Sequence, residues 1–375
     1  MHPVFVAGAA MTRIGRRSEP LPALMADAAG AALADAGVER PDAIVVATMN
    51  PEEFVGDGNF ASTVAAHMGF ADVPALRVET ATSSGAAAIY AGFAQVAAGL
   101  RRTVLVVGGE RMTHLTTPRV SEIIGRSIDA YERTYGATMP ALAGLVCRAL
   151  MARHGVGARE IAQVAVKNHA HGARNPLAHF QQPVTLDEVL DSRMVADPLR
   201  LMHCCPISDG AAAVVLSAGR TAVRIAGIGH GTDTLALRHR RDLTSFAATR
   251  AAAREAYAMA GFGPERVDVA EVHDAFAPFE LISLEDLGLV PPGKAGRATL
   301  DGDTALEGRL PVNPSGGLKA RGHPLAATGI AQLVECVWQL TGRAGGRQVA
   351  GARHALAHSI GGLATNNWVT LLEHV

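Results

Sequence analysis

Arg77-Val-Glu-Thr-Ala-Thr-Ser-Ser-Gly85 is the stretch on which the reading of this chain turns. Apolar residues precede it (Ala75-Leu76-Arg77-Val78) and small residues follow from Gly85 to Ala98, which predicts strand, tight turn, helix. A residue at such a turn stands over a helix N-terminus, where unpaired N–H groups and the helix dipole favour negative charge. Enzymes use that position to hold a thiolate or an oxyanion. The occupants here are Thr82, Ser83 and Ser84, with no cysteine nearby. Taken alone, the stretch also suits an ordinary packed corner of an α/β domain, so its meaning depends on its surroundings.

Working outward, strand and helix alternate. Short β-rich runs are predicted at Val4–Ala7, Ala43–Thr48 and Thr103–Gly108, with helices over Pro20–Ala36 and Ala61–Met68. That order suits a parallel, helix-covered sheet. Between about residues 111 and 209 the pattern changes to helices (Met139–His154, Ala158–His169) and polar irregular stretches, which read as an insertion lying over the sheet. Strands then resume at Ala211–Ser217, Ala222–Ile228, Val267–Val272, His354–His358 and Trp368–Leu372, with helices at Ser245–Ala260 and Ala327–Leu340. The expected division is an N-terminal half at 1–217, carrying the insertion, and a C-terminal half at 218–375, together a duplicated α/β layer.

Composition narrows the class. The 375 residues are 49% apolar and 18% charged with 40 glycines, as in an α/β enzyme with close backbone packing. A formal charge of -1 argues against a nucleic-acid partner, and no apolar run is long enough to span a bilayer. The basic run Arg238-His-Arg-Arg241 reads as a solvated loop. No secretory leader is read at Met1-His-Pro-Val, and four cysteines, two adjacent, suggest reduced thiols and a cytoplasmic location.

Three more loops stand at strand ends or helix starts, where α/β sheets bind ligands. They are Glu271-Val-His-Asp-Ala-Phe276, Asn313-Pro-Ser-Gly-Gly-Leu-Lys-Ala-Arg-Gly-His-Pro324 and His358-Ser-Ile-Gly-Gly362. Histidines at two such loops, beside glycines that let backbone N–H groups approach a ligand, point to catalysis.

Nearly end to end, these motifs resemble the thiolase superfamily, and within it the sterol-carrier-protein type and its bacterial and archaeal relatives. The resemblance is carried by Arg77-Val-Glu79, Gly108-Gly-Glu-Arg-Met-Thr113, Lys167-Asn-His169 to Asn175-Pro176, Asp197 to Gly210, His273-Asp-Ala-Phe276 and Gly322-His-Pro324. It implies a duplicated, five-layered α-β-α-β-α core, an inserted loop domain that binds coenzyme A, and a homodimer. It implies an acyl-CoA thioester as substrate, no metal, and no cofactor beyond that coenzyme A.

The resemblance also assigns roles, and here the chain departs from the pattern. The family's acyl-accepting cysteine falls at Thr82, with Ser84 and Gly85 intact, and a second cysteine falls at Ala275. His273 matches a histidine that holds the thioester oxygen of the enolate, and His323 matches one that activates the nucleophile. Ser83, Ser84, Gly85, Asp274, Asn313, Ser359, Gly361 and Gly362 are expected to support the oxyanion site. None of Cys147, Cys204, Cys205 and Cys336 matches a catalytic loop; the adjacent pair is read as buried, small and apolar, with a reactive Cys204 or Cys205 as the alternative.

A threonine hydroxyl is far less acidic than a thiol, so ordinary thiolysis is disfavoured. What survives is an oxyanion site and a base, which suffice for retro-aldol cleavage or decarboxylation of an acyl-CoA. Acyl transfer through Thr82 or Ser83, and a non-catalytic acyl-CoA-binding or scaffold subunit, are the alternatives. Nucleophile-less relatives that cleave steroid side chains act with a small OB-fold protein, so such a partner is an expectation here too.

Overall fold

The computed structural model describes residues 2–375. Eleven strands form in chain order: β1 (Phe5–Met11), β2 (Ala43–Ala47), β3 (Ala75–Val78), β4 (Thr103–Glu110), β5 (Met194–Ala196), β6 (Leu199–Arg200), β7 (Gly210–Ser217), β8 (Val223–Thr232), β9 (Val269–Glu271), β10 (His354–Gly361) and β11 (Asn366–His374). β5 and β6 make a small hairpin, and the other nine are ordered β3-β2-β4-β7-β1-β8-β11-β10-β9. The run β2-β4-β7-β1 is joined parallel, antiparallel, antiparallel, and β9-β10-β11-β8 repeats those relations. Within the sheet, β1 and β8 join the two halves through the pairs Phe5–Arg224 and Val6–Val223.

The helices that matter for position are α1 (Leu21–Ala36), α2 (Phe60–His67), α3 (Ser84–Ala97), α4 (Thr117–Gly125), α5 (Met139–His154), α6 (Ala158–Gly172), α7 (Ala247–Ala260), α8 (Ala277–Asp286) and α9 (Leu325–Leu340). Alternation along the strands sorts the core into layers. Ile44, Val46, Leu105, Val107, Ala213 and Val215 pack on α1 and α2. Their neighbours Val45, Val104, Val106, Val214 and Leu216 point the other way, onto α3 and α9. Ala355, Ala357 and Leu372 meet those same two helices from the second half, while Leu356, Val369 and Leu371 face α7 and α8. This is the thiolase fold, mixed α/β in five layers, with α3 and α9 sandwiched at its centre. The segment after β4 contributes α4, α5 and α6, and part of it joins the core of the second half through Leu142, Val146, Leu150 and Ile161.

Several strands run past their sequence-based ends. β1 continues to Met11, β8 to Thr232 and β10 to Gly361. Glycine accounts for β1 and β8, because it interrupts apolar alternation where a helix must come close. A Cβ on Gly227, Gly229 or Gly231 would run into the carbonyl oxygens of Ala256, Ala252 and Ala248, successive turns of α7. In β1 a Cβ on Gly8 would run into Ala32 of α1. The extension of β10 also corrects one expectation: Ser359 and Gly361 lie inside a strand and not in a loop. Among the described residues no helix is long and apolar enough to cross a membrane.

The β8–α7 contact gives a stability prediction. Gly229→Ala should force the strand and helix apart and destabilise the fold by about 1–3 kcal/mol, the usual cost of overpacking a filled core. Urea unfolding measures this, and an unchanged midpoint would show that the strand–helix spacing is soft.

Candidate active site

Thr82 sits on a turn held in an uncommon backbone conformation. Ala81 has φ 56°, in the left-handed region that residues with a Cβ seldom adopt. Hydroxyls stitch the turn: Ser84 Oγ donates to the Ala81 carbonyl at 2.6 Å and accepts from Thr80 N at 3.0 Å, and Ser83 Oγ donates to the Thr80 carbonyl at 2.9 Å. Thr82 alone turns its hydroxyl outward from the turn, donating to the Ile360 carbonyl at 2.7 Å. Its donor capacity is therefore engaged.

His323 immediately precedes Pro324 and α9, and the first turn of α9 lies against the start of α3, where a Cβ on Gly85 would meet the Ala326 carbonyl. His273 follows β9. The two imidazoles stand edge to face with centroids 5.0 Å apart and an interplanar angle of 88°. His323 Nδ1 pairs with Thr328 Oγ1 at 2.7 Å, one and a half turns along the same segment, leaving Nε2 for the cavity. His273 Nδ1 is buried without a partner. Burial first, and then the Arg321 guanidinium, lowers His323 to about 3. Burial, then His323, His358 and Arg321, holds His273 well below its usual value. Both rings are thus neutral at physiological pH. An orphaned buried N–H is rarer than an orphaned acceptor, which favours the tautomer of His273 with its proton on Nε2.

The cavity they share has a volume of about 160 Å³. Thr82, His273, His323, Cys204, Cys205 and Gly362 line it together with the apolar residues Val120, Ile124, Met139, Phe276, Phe279 and Leu325. No charged side chain lines it. The roof comes from α4 and the start of α5, so the inserted segment closes the site from above.

Placement corrects several expectations. Of the supporting residues only Gly362 lines the cavity; Ser83, Ser84, Gly85, Asp274, Asn313, Ser359 and Gly361 do not. The Ser83 hydroxyl is consumed within the turn, which removes it as a candidate nucleophile. Asp274 turns away to accept from Leu318 N at 2.6 Å, Lys319 N at 3.2 Å and Asn168 Nδ2 at 2.7 Å. Asn313 binds Val272 N at 2.8 Å and Glu280 at 2.7 Å. Gly85 serves the crossing of α3 and α9, where a Cβ would meet the Ala326 carbonyl. Of the two readings of Cys204 and Cys205, packing group or reactive thiol, the first is not the whole of their role: both are part of the cavity wall. Met139 lines the cavity as well, whereas Tyr131, Tyr135 and Phe180 lie outside it. Thr328 was not singled out in the sequence, although its spacing from His323 is that of a helix-start residue facing back.

Comparison with known proteins agrees with this architecture. Residues 4–220 match the thiolase N-terminal domain and residues 229–374 the thiolase C-terminal domain-like family. The chain belongs to the thiolase superfamily. It is 42% identical to an acetyl-CoA acetyltransferase of Methanothermobacter thermautotrophicus, with 96% of this chain and 97% of that protein covered. It is 36% identical to sterol carrier protein 2 of Gallus gallus over 96% of this chain and 69% of the relative. The solved Ltp2-ChsH2(DUF35) aldolase has the same fold, with a TM-score of 0.84 and 24% identity, covering 99% of this chain and 98% of that one.

One buried acid beneath the site gives a pH prediction. Glu110, at the end of β4, accepts from Thr48 Oγ1 at 2.9 Å, Met49 N at 3.1 Å and Ala326 N at 3.3 Å. Burial raises it from 4.5 to about 8 against those hydrogen bonds. The unfolded chain releases this proton near the ordinary carboxylate value, so between roughly pH 4.5 and 8 the folded state holds a proton the unfolded state lacks. Its stability contribution is therefore lost as pH rises through that window. Glu110→Gln, which keeps the shape without the titration, should gain stability over the wild type as pH rises across it. Parallel stability–pH curves for the two proteins would refute a neutral Glu110.

Proposed function

We propose that this member of the thiolase superfamily acts on acyl-CoA thioesters at a carbon–carbon bond through a stabilised enolate, without an acyl-cysteine at residue 82. The observation that carries the reading is the pairing of two neutral, edge-to-face imidazoles on one cavity with a Thr82 hydroxyl already donated to Ile360. A neutral His323 Nε2 can accept a proton, and a neutral His273 Nε2–H can donate to an oxyanion.

In the retro-aldol direction, His323 takes the β-hydroxyl proton and the Cα–Cβ bond breaks. The β-oxygen becomes a carbonyl, and the bonding pair moves into a thioester enolate whose oxygen His273 holds. Decarboxylation of a malonyl-type β-carboxyacyl-CoA, in which the Cα–carboxylate bond breaks, CO₂ leaves and the bonding pair becomes the thioester enolate, uses the same enolate site. The low-polarity cavity suits either, because fixed donors act more strongly on developing charge where water is excluded.

Acyl transfer through Thr82 is the second reading, favoured by the 42% identity to a protein named acetyl-CoA acetyltransferase. It needs Thr82 to give up its bond to Ile360 and to ionise in an apolar site. A homodimer and a small OB-fold partner belong to the proposal as well; the structurally similar Ltp2-ChsH2(DUF35) aldolase is, by its name, a two-component assembly.

The test is a panel of β-hydroxyacyl-, β-carboxyacyl- and β-ketoacyl-CoA esters, assayed alone and with candidate partner proteins. His323→Ala should lower kcat/KM by about 10²–10⁴-fold, the range of general acid–base catalysis. Intact-mass detection of an acyl adduct on Thr82 would move the assignment to acyl transfer, and tight ester binding without turnover under every pairing would leave a binding subunit. Thr328→Val should lower kcat with little change in KM, and Thr328→Ser should restore it, because the hydroxyl holds the His323 ring in place through Nδ1 without lining the cavity.

A further inference from the structure

The enolate reading leaves one proton without a donor. Cleavage creates a carbanion equivalent at the α-carbon, and the acyl-CoA product requires a proton there. One imidazole serves as base at the β-oxygen and the other holds the thioester oxygen, so the acid has to come from elsewhere on the wall.

Few wall residues carry a dissociable proton. Thr82 has donated its own to Ile360. Ser121 and Thr138 are exposed at the roof, and Thr138 caps α5 by accepting from Ala141 N at 3.3 Å. Cys204 directs its thiol at the Arg200 carbonyl, 3.6 Å away. Cys205 remains, and among the described residues its thiol makes no hydrogen bond to another residue.

Its backbone is fixed to both histidine loops. Cys205 N donates to the Ala275 carbonyl at 2.9 Å, two residues from His273. The flanking residues form bridges of their own, Cys204 with Phe276 and Ile207 with His323. Ser208 Oγ accepts from His323 N at 3.3 Å. The segment 204–208 therefore runs between the two loops, with Cys205 on the wall of the cavity they share.

We infer that Cys205 is a catalytic residue that delivers the proton to the α-carbon of the enolate in this cavity. The inference rests on the enolate reading above. In the step, the Sγ–H bond breaks and the Cα–H bond forms from the enolate pair, and the thioester C=O is restored. The thiolate then regains its proton from the imidazolium that His323 became when it took the β-hydroxyl proton, so atoms and charge balance and nothing is oxidised. Burial raises the thiol to about 12, so it stays protonated as an acid requires. The enolate carbon is a much stronger base than a thiolate, so the transfer runs downhill.

In the reverse direction His323 first takes the Cys205 proton, and the thiolate then lifts an α-hydrogen. Exchange of the imidazolium and thiol protons with solvent puts deuterium on the α-carbon without any C–C chemistry. Acetyl-CoA and propionyl-CoA incubated with the wild type in D₂O should gain α-deuterium by mass spectrometry. Cys205→Ala and Cys205→Ser should each exchange about 10²-fold more slowly, with circular dichroism and CoA-ester affinity close to wild type. Cys147→Ala, inside α5 and away from the cavity, should exchange at the wild-type rate. A folded variant at Cys205 that exchanges as fast as wild type overturns the proton-donor assignment and leaves the enolate reading standing. A wild type that binds these esters but exchanges none of them overturns the enolate reading, and the assignment with it.

Discussion

The site depends on how closely two helices can cross. α3 and α9 lie at the centre of the five layers, and their first turns touch through glycine: a Cβ on Gly85 would meet the Ala326 carbonyl, and one on Gly329 would meet Ala86 N. Each glycine makes room for the other helix's backbone, so the contact is reciprocal. Because the crossing is at the N-termini, the residues just before each helix, Thr82 and His323, are brought to one cavity. Both positive helix ends then lie beside it, which favours developing negative charge there. Repetition of one strand pattern in both halves is what makes the two helices equivalent partners.

A second layer of polar residues holds the loops without entering the cavity. Arg321 Nη1 reaches Glu271 at 3.2 Å and Ser315 Oγ at 3.2 Å, all fully buried, and ties the strand before His273 to the loop before His323. Lys167 pairs with Glu280 at 2.9 Å, and Glu280 in turn receives Asn168 and Asn313. Burying such charges is costly, and removing one partner of a buried pair typically costs about 3–5 kcal/mol. Such groups fix geometry more than they add stability. Arg321 also contributes cationic charge near the imidazoles, which works with burial to keep both rings neutral.

Much of this was legible in the sequence. Apolar runs and helical spacing located every strand of the large sheet and the long helices, and the strand-end loops carrying His273 and His323 stood out because a ligand site forms at such ends. What misled was glycine within strands, which mimics a turn when its partner helix cannot be seen. Polar neighbours misled in another way. Asp274 and Asn313 sit beside or near site loops in sequence, yet the chain direction turns their side chains into the scaffold. Cys204 and Cys205 lie in a run with little regular structure, so no periodicity says which face they present. A small buried apolar group and a cavity thiol have the same one-letter signature.

Residue 82 and the charge of His323 are linked. A thiolate at that turn would be an anion across the cavity, and an imidazolium could persist beside it despite burial, since a nearby opposite charge offsets desolvation. Threonine supplies no such anion at any pH the fold survives, and its hydroxyl is bonded to Ile360. Desolvation and the Arg321 charge then act on His323 unopposed and leave it neutral. With threonine at this position, His323 is a neutral imidazole sharing its cavity with a hydroxyl already committed to a backbone carbonyl. The remaining chemistry is that of a base and a neutral donor around an apolar pocket, a combination suited to moving a proton and holding an enolate. The identity of residue 82 thus bears on the charge of His323 as well as on its own chemistry, in a pocket that no charged side chain lines.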